Sequence, residues 1–160
     1  MSRNSNSNMV LTTVALTVAL FFVGCNRKVV YNRYEHTPVS GWERNDTLFF
    51  DIPPVERSQV VYEELGLRIN SLYPFCDLCL IVEQTTMPMG FIRRDTITCS
   101  LMDREGNVKG SGISYYQYNM RIADLSLNKG DSLHIGIRHN MKREILPGIA
   151  DVGLLLRAYN

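Results

Sequence analysis

The sequence predicts an all-β protein, built as a single antiparallel β-sandwich of jelly-roll or immunoglobulin-like type. Apolar residues alternate with other residues at a period of two in five separate segments, which is typical of strands with one side in a core. Turn-forming residues lie between these segments. The chain has 160 residues, and the part beyond its first 24 residues has the usual length of one domain with its own core.

The first 24 residues predict a secretory signal peptide that is removed. Arg3 supplies a positive charge near its start, residues 9–23 are mostly apolar, and Gly24 supplies a small residue at the cut. Cys25 follows directly and looks like the cysteine of a bacterial lipobox, which implies a diacylglyceryl group on its thiol. A plain secretory signal and a membrane anchor helix are the alternatives.

The length of the apolar segment favours a lipid anchor. A membrane-spanning helix needs roughly 20 apolar residues, whereas residues 9–23 are fewer and include three threonines. One acyl chain binds a membrane only marginally, but two or three hold it firmly. We therefore expect a cleaved signal at residues 1–24, a lipidated cysteine with an extended tether at residues 25–40, and the β-sandwich at residues 41–160.

The residues behind Cys25 indicate which way the protein faces. In some Gram-negative groups an acidic cluster at this place marks lipoproteins of the cell surface. Here Arg27 and Lys28 follow instead, so we expect an outer-membrane protein facing the periplasm. Removal of the signal leaves equal numbers of basic and acidic residues, which argues against a polybasic nucleic-acid binder.

Strands are predicted wherever the alternation is clear. The apolar positions in the five segments are Leu65, Leu67 and Ile69; Leu78, Leu80 and Val82; Ile97, Cys99 and Leu101; Leu133, Ile135 and Ile137; and Val152, Leu154 and Leu156. Further strand candidates are residues 47–51, 112–118 and 122–127. Residues 55–63 and 140–146 are weak helix candidates that could also be loops.

Turn chemistry separates the predicted strands. The turns are predicted at residues 51–54, 70–74, 103–107, 128–131 and 147–148, which are rich in Pro, Gly, Asn and Asp. Asp103, Glu105 and Asn107 have the spacing of calcium-loop ligands, but Gly106 and the lack of a distal Glu do not fit an EF-hand. We expect a hairpin turn there.

Three cysteines remain in the body of the chain. Cys76 and Cys79 have C-x-x-C spacing, which suggests a redox or zinc site. The second cysteine, however, falls inside a predicted strand, and no further ligands complete a tetrahedral zinc site. We expect small buried thiols, with a disulfide from Cys99 to Cys76 or Cys79 as the alternative.

Residues of the kinds that carry catalysis or bind metals are few. His134 and His139 fall on opposite faces of one predicted strand, and we expect both to be solvated. Glu63 and Glu64 are neighbours on opposite faces and are expected to be exposed charges, not an acid/base pair. No nucleophile elbow or phosphate-binding loop is present. The sequence therefore predicts no catalytic residue, no cofactor and no metal site.

Aromatic side chains are the remaining candidates for contact with a partner or ligand. Tyr116 and Tyr118 share one face of a predicted strand and could bind a partner or a sugar. The alternative is a structural role, in the core or in pairing between strands. Trp42 is the only tryptophan. We expect it to anchor the core, with a partner contact as the second interpretation.

An ordered set of short segments resembles a family of bacterial lipoproteins. The segments are Val30-Tyr31 through Tyr34; Gly41-Trp42 with Asp46 and Phe50-Asp51; Leu67 to Asn70 with Tyr73-Pro74; Leu78 to Val82; Asp103 to Gly106 with Gly110 and Gly112; Met141 to Arg143; and Leu146 to Gly153. Together they span the mature chain and are similar to the gliding-motility lipoprotein GldH family of Bacteroidetes.

This resemblance implies a role in the cell envelope without enzymatic activity or cofactor. Members support surface gliding together with other envelope lipoproteins and the type IX secretion machinery. Two hypotheses follow for this chain. The first is a lipid-anchored interaction protein, and the second is a periplasmic module that binds glycan or another ligand. A concave sheet face with aromatic and amide side chains would favour the second hypothesis, and an apolar patch would favour the first.

Overall fold

A computed structural model of the chain describes residues 29–159. Within that range the secondary structure is entirely β. The strands are β1 (Val29–His36), β2 (Trp42–Glu43), β3 (Leu48–Ile52), β4 (Gln59–Asn70), β5 (Asp77–Met87), β6 (Phe91–Ser100), β7 (Ser111–Gly112), β8 (Tyr115–Leu127), β9 (Ser132–His139), β10 (Ile145–Leu146) and β11 (Ile149–Ala158). The predicted signal peptide and Cys25 lie outside the described residues.

The strands form two facing antiparallel sheets and a short ribbon. One sheet has the order β1-β11-β4-β8-β7, the other has the order β3-β9-β5-β6, and β10 pairs with β2. Among the eight long strands, only β5 and β6 are neighbours both in sequence and in a sheet. Every other connection crosses from one sheet to the other. This order is that of a jelly roll, so the sandwich prediction is confirmed and the jelly-roll alternative is the correct one.

The core lies between the two sheets and contains the residues that the alternation assigns to it. Of the apolar positions in the five predicted segments, all are buried except Ile97, which is half-buried. Trp42, Phe50, Ile52, Val61 and Leu146 complete the centre. Burial of this apolar surface is the main force that holds the sheets together.

The first strand begins earlier than the sequence predicts. The sequence predicts a lipidated cysteine and tether at residues 25–40, but Val29–His36 form β1, which pairs with β11 over Val29↔Arg157 to His36↔Asp151. The side chains of Tyr31 and Val30 pack against the core. The alternation in β1 is masked because Asn32, Arg33 and Glu35 accompany these apolar residues on an edge strand, which is half solvated.

The two weak helix candidates are wrong. Residues 55–58 form a loop and Gln59 already begins β4, while residues 140–144 are irregular and lead into β10. The turn prediction at residues 103–107 is correct. There the Asp103 carboxylate accepts hydrogen bonds from the backbone N–H groups of Glu105 (3.0 Å) and Asn107 (2.7 Å).

The sandwich has two distinct ends. At the proximal end β1 begins, and Val29 pairs with Arg157. In the four-stranded sheet, Thr86 pairs with Phe91 at the same end. A hollow at this end is lined by Val29 and Val30 of β1 and by residues 53–57, which follow β3 of the other sheet. At the distal end, β1 and β4 finish while β8 and β11 begin, since Asn70 pairs with Tyr115 and Ile69 with Ile149.

Candidate functional site

The outer surface of the five-stranded sheet carries an unusual set of polar and aromatic side chains, called here the polar face. Register brings its members into rows across β1, β11, β4 and β8. The rows are His36, Asp151, Arg68 and Gln117; Tyr34, Gly153, Gly66 and Asn119; and Asn32, Leu155, Glu64 and Arg121. Since strand side chains alternate between faces, this polar face and the apolar core share the same four strands.

Tyr34 lies flat across the polar face. A Cβ atom added at Gly153 would lie 2.6 Å from the Cζ atom of Tyr34, and one added at Gly66 would lie 2.9 Å from it. Both glycines are therefore required for the ring to rest on the sheet. Gln117 Nε2 donates to the Tyr34 hydroxyl at 3.0 Å, and the Arg68 guanidinium lies 5.1 Å from the ring centroid. Partial burial raises the pKa of Tyr34.

Asp151 is the charged centre of the distal end of this face. Its side chain is only 8 % exposed, yet Oδ1 contacts Nδ1 of the His36 ring and Oδ2 forms an ion pair with Arg68 at 3.5 Å. A nearly buried carboxylate needs such partners because desolvation opposes its charge. Apart from this contact with His36, Oδ1 has no hydrogen-bond donor among the described residues.

A cleft of about 580 Å³ opens beside these charges. We call it the distal cleft; its lining includes the polar side chains of His36, Arg68 and Asp151 and the apolar or aromatic side chains of Val39, Leu72 and Tyr115. Val39, Leu72 and Tyr115 are exposed apolar or aromatic side chains, and Ile113 adds another in the loop before β8. Thr37 helps to shape the cleft by donating a hydrogen bond from Oγ1 to the Ile149 carbonyl at 2.5 Å.

The aromatic residues that the sequence singled out do not form this site. Trp42 is fully buried and donates a hydrogen bond from Nε1 to the Asp46 carbonyl at 2.9 Å, which agrees with its role as a core anchor. Tyr118 is 7 % exposed and Tyr116 is half-buried against the core. Their surface-contact interpretation is therefore corrected, because the shared face of Tyr116 and Tyr118 is the inner one.

Tyr34, Arg68 and Asp151 were missed by sequence reasoning. Their signal was indirect: Gly66 and Gly153 stand in the middle of predicted strands, where glycine often marks the close approach of another group. Tyr115, the neighbour of the two chosen tyrosines, is the one that reaches the surface.

Two polar residues expected in solvent are buried instead. His139 stacks edge-on against Trp42, with ring centroids 5.4 Å apart, and its Nε2 lies 3.1 Å from the Trp42 carbonyl oxygen. Burial lowers the pKa of His139. Glu63 is completely buried between the sheets, where Gln84 Nε2 donates to its Oε2 at 2.5 Å. Burial raises the pKa of Glu63 to about 7. His134, by contrast, is exposed as predicted.

The three cysteines of the sandwich are unpaired. Cys76 is exposed, Cys79 is half-buried and Cys99 is buried, so the buried-thiol prediction holds for Cys99 only. Burial raises the pKa of Cys99 to about 12. Across residues 29–159, no three His, Cys, Asp or Glu side chains are placed to share a metal ion. The same stretch contains no helix that is long and apolar enough to cross a bilayer.

These features define the chain as a jelly-roll β-sandwich with an ion-paired polar face and a distal cleft. The sequence model of the GldH lipoprotein family matches residues 29–156. The chain therefore belongs to the GldH lipoprotein family. Membership in this family supports a membrane-anchored position in the cell envelope.

Two curated relatives carry the same family name. The chain is 29% identical over 153 residues to the gliding motility lipoprotein GldH of Flavobacterium johnsoniae, covering 88% of this chain and 91% of that protein. It is 24% identical over 148 residues to the gliding motility lipoprotein GldH homolog of Christiangramia forsetii, covering 84% and 86% respectively. Both alignments extend over nearly the full length of each protein.

The fold also occurs in a solved structure of a carbohydrate-active enzyme. It is a family GH115 4-O-methyl-alpha-glucuronidase with specificity for decorated arabinogalactans, matched at a TM-score of 0.51 and 15% identity. The match covers 85% of this chain but only 18% of the enzyme. At this identity the similarity concerns the fold alone.

Proposed function

We propose that this chain is a non-catalytic, lipid-anchored protein of the outer membrane that supports gliding motility or the envelope secretion machinery by binding another envelope protein. Lipidation would occur on Cys25, and the sandwich would face the periplasm. Family membership and the names of both curated relatives support this role. The distal cleft is the observation that carries the proposed mode of action.

The distal cleft combines the features of a protein-binding pocket. Its volume of about 580 Å³ leaves room for side chains of a partner protein. Exposed Leu72 and Tyr115 offer apolar area to an incoming side chain, while Arg68 and Asp151 offer charge that fixes its orientation. Aromatic and arginine side chains are the residues that most often dominate the binding energy of protein interfaces.

The test is crosslinking and pull-down of the lipidated protein from its native envelope, with variants of the cleft. Tyr115→Ser should lower partner capture roughly 30-fold, as expected for loss of an aromatic interface anchor. Phe49→Ser is the matched control, because Phe49 is 54 % exposed against 52 % for Tyr115 but lies on the other sheet. Equal capture by both variants would contradict docking at the cleft.

Lipidation has its own test. Cys25→Ser should abolish labelling by radioactive palmitate and leave a soluble or uncleaved precursor, because the thiol that receives the lipid is absent. Palmitate labelling that persists in this variant would exclude Cys25 as the acceptor.

Glycan binding is the second candidate, and the polar hollow beside the half-buried Tyr34 favours it. Asn32, Asn119 and Glu64 line this hollow and could form hydrogen bonds with sugar hydroxyls. The surrounding hollow has a volume of about 230 Å³, which suits one or two sugar rings. In an NMR titration with envelope oligosaccharides, shifts confined to this hollow and lost in Tyr34→Ala would favour this role over protein docking.

A further inference from the structure

The hairpin between β5 and β6 exposes a continuous run of apolar side chains. Met87 is 48 % exposed, Met89 79 %, Phe91 64 % and Ile92 63 %. Met89 lies in the turn at residues 88–90, and Met87, Phe91 and Ile92 lie at the adjoining ends of β5 and β6. We call this group the proximal tip. Contiguous exposed apolar groups on a protein surface usually mark a binding site for a protein or a membrane.

The register of the strands places the proximal tip at the end where β1 begins. In the four-stranded sheet, Ile52 pairs with Leu133, Leu133 with Thr86, and Thr86 with Phe91. After Ile52 the chain continues through residues 53–57, which line one hollow together with Val29 and Val30. The tip and the first described residue therefore lie at the same end of the molecule.

The distance to the anchoring cysteine allows both to meet one surface. Cys25 precedes Val29 by four residues, which can span at most about 14 Å when extended. The tip lies three strand positions from β3, a lateral distance of about 14 Å at roughly 4.8 Å per strand. A sandwich held by a lipid on Cys25 would thus have its apolar hairpin within reach of the same bilayer.

We propose that the proximal tip inserts into the lipid bilayer that holds the anchor, an inference that rests on the proposed lipidation of Cys25. The lipid and the hairpin would make two separate attachments, which fix the orientation of the sandwich. The distal cleft would then point away from the membrane, toward the compartment in which a partner is met. A bilayer is favoured over a protein partner because the anchor already brings this end of the molecule to the membrane.

The experiment measures how deeply each end enters the membrane. Full-length lipidated protein carrying Phe91→Trp is reconstituted into phosphatidylethanolamine and phosphatidylglycerol vesicles that contain a doxyl-labelled lipid. Val39→Trp is the matched control, because Val39 is a fully exposed apolar residue at the distal end. The native Trp42 is buried near the distal end and supplies a constant background, measured in the unsubstituted protein.

The proposal expects quenching of the Phe91→Trp probe to be at least about twofold stronger than that of Val39→Trp, because a side chain that enters the headgroup boundary lies about 5–10 Å deep. Ile92→Trp should behave like Phe91→Trp and guards against a folding defect in one variant. Equal quenching at both ends overturns the proposal. A second outcome also overturns the proposal. If the tryptophan at the tip is shielded from aqueous acrylamide in native envelopes but is not quenched by doxyl lipid, the tip contacts a protein partner.

Mass spectrometry and vesicle flotation of the same preparation separate this proposal from the proposed anchor. An acylated protein that floats without tip-specific quenching retains the anchor and excludes insertion of the hairpin. A protein that carries no acyl chain and does not float excludes both.

Discussion

Glu63 is the residue whose environment departs furthest from what its chemistry favours. Its carboxyl group lies between the two sheets, one oxygen accepts a hydrogen bond from Gln84, and the other has no hydrogen-bond partner. Burial raises its pKa to about 7, and the Gln84 hydrogen bond and the charge of Arg93 offset only part of that shift. The folded state therefore holds this proton more tightly than the unfolded chain does.

A pH dependence of stability follows from this pKa. Between about pH 4.5 and 7 the folded state binds more protons at Glu63, so the free energy of unfolding should fall as pH rises through this window, by about 3 kcal/mol in total. Glu63→Gln should remove the decline and be more stable than the unsubstituted protein at about pH 8. Urea unfolding at several pH values measures this difference.

The neighbouring residue supplies the control for this prediction. Glu64→Gln changes the same functional group on the outer face of the same strand, and its curve should follow that of the unsubstituted protein. Buried His139 has the opposite effect, because its lowered pKa makes the protein less stable as pH falls. All variants keep His139, so this effect cancels when their curves are compared. A Glu63→Gln curve parallel to that of the unsubstituted protein would contradict the buried titration.

The contact between Gly153 and Tyr34 gives a second prediction at the scale of single residues. Gly153→Ala should destabilise the protein by about 1–3 kcal/mol, because the new methyl group overlaps the Tyr34 ring. In the background of Tyr34→Ala the same substitution should cost much less, since the ring is gone. A double-mutant cycle by denaturant unfolding measures the coupling. Additive costs would mean that the ring does not rest on the glycine.

At the scale of elements, β1 is the strand that the sequence placed least well. If residues 29–36 are a strand, trypsin should cut after Arg33 on the order of 100-fold more slowly than after Arg104, because a paired strand must open before cleavage. Arg104 lies exposed in the turn after β6 and serves as the susceptible control. In urea both sites should be cut. Equal native rates would restore the tether interpretation for this segment.

The sequence pattern predicts the inner strands well and the surface residues poorly. Leu133, Ile135 and Ile137 alternate because β9 has one face in the core, and such a strand can be recognised from its period alone. In β1 no such period survives, because an edge strand buries little. The order of strands and the meeting of Tyr34 with Arg68 depend on pairings between distant segments, which local patterns do not encode. Glu63 was predicted to be exposed because it is charged, although it lies two residues before Leu65 and so on the core-facing side of β4.

At the scale of the whole molecule, both sheets depend on one shared core. Leu80→Ala in the four-stranded sheet and Leu154→Ala in the five-stranded sheet should each lower the free energy of unfolding by about 2–5 kcal/mol. Each variant should keep a single transition, with coincident midpoints by circular dichroism and Trp42 fluorescence. Val60→Ala, at a half-exposed position, should change the free energy by less than about 0.5 kcal/mol. Two separate unfolding transitions would show that the two sheets unfold independently.

The pairing of β11 has a consequence for biogenesis. Residues 149–158 lie between β1 and β4, so β1 has no sheet partner, and β4 lacks one of its two partners, until synthesis has passed residue 158. During export the polypeptide would therefore stay threadable for nearly its whole length. A premature stop codon that removed only this final strand would delete the middle of a sheet, and the truncated product would be degraded instead of functioning as a slightly shorter protein.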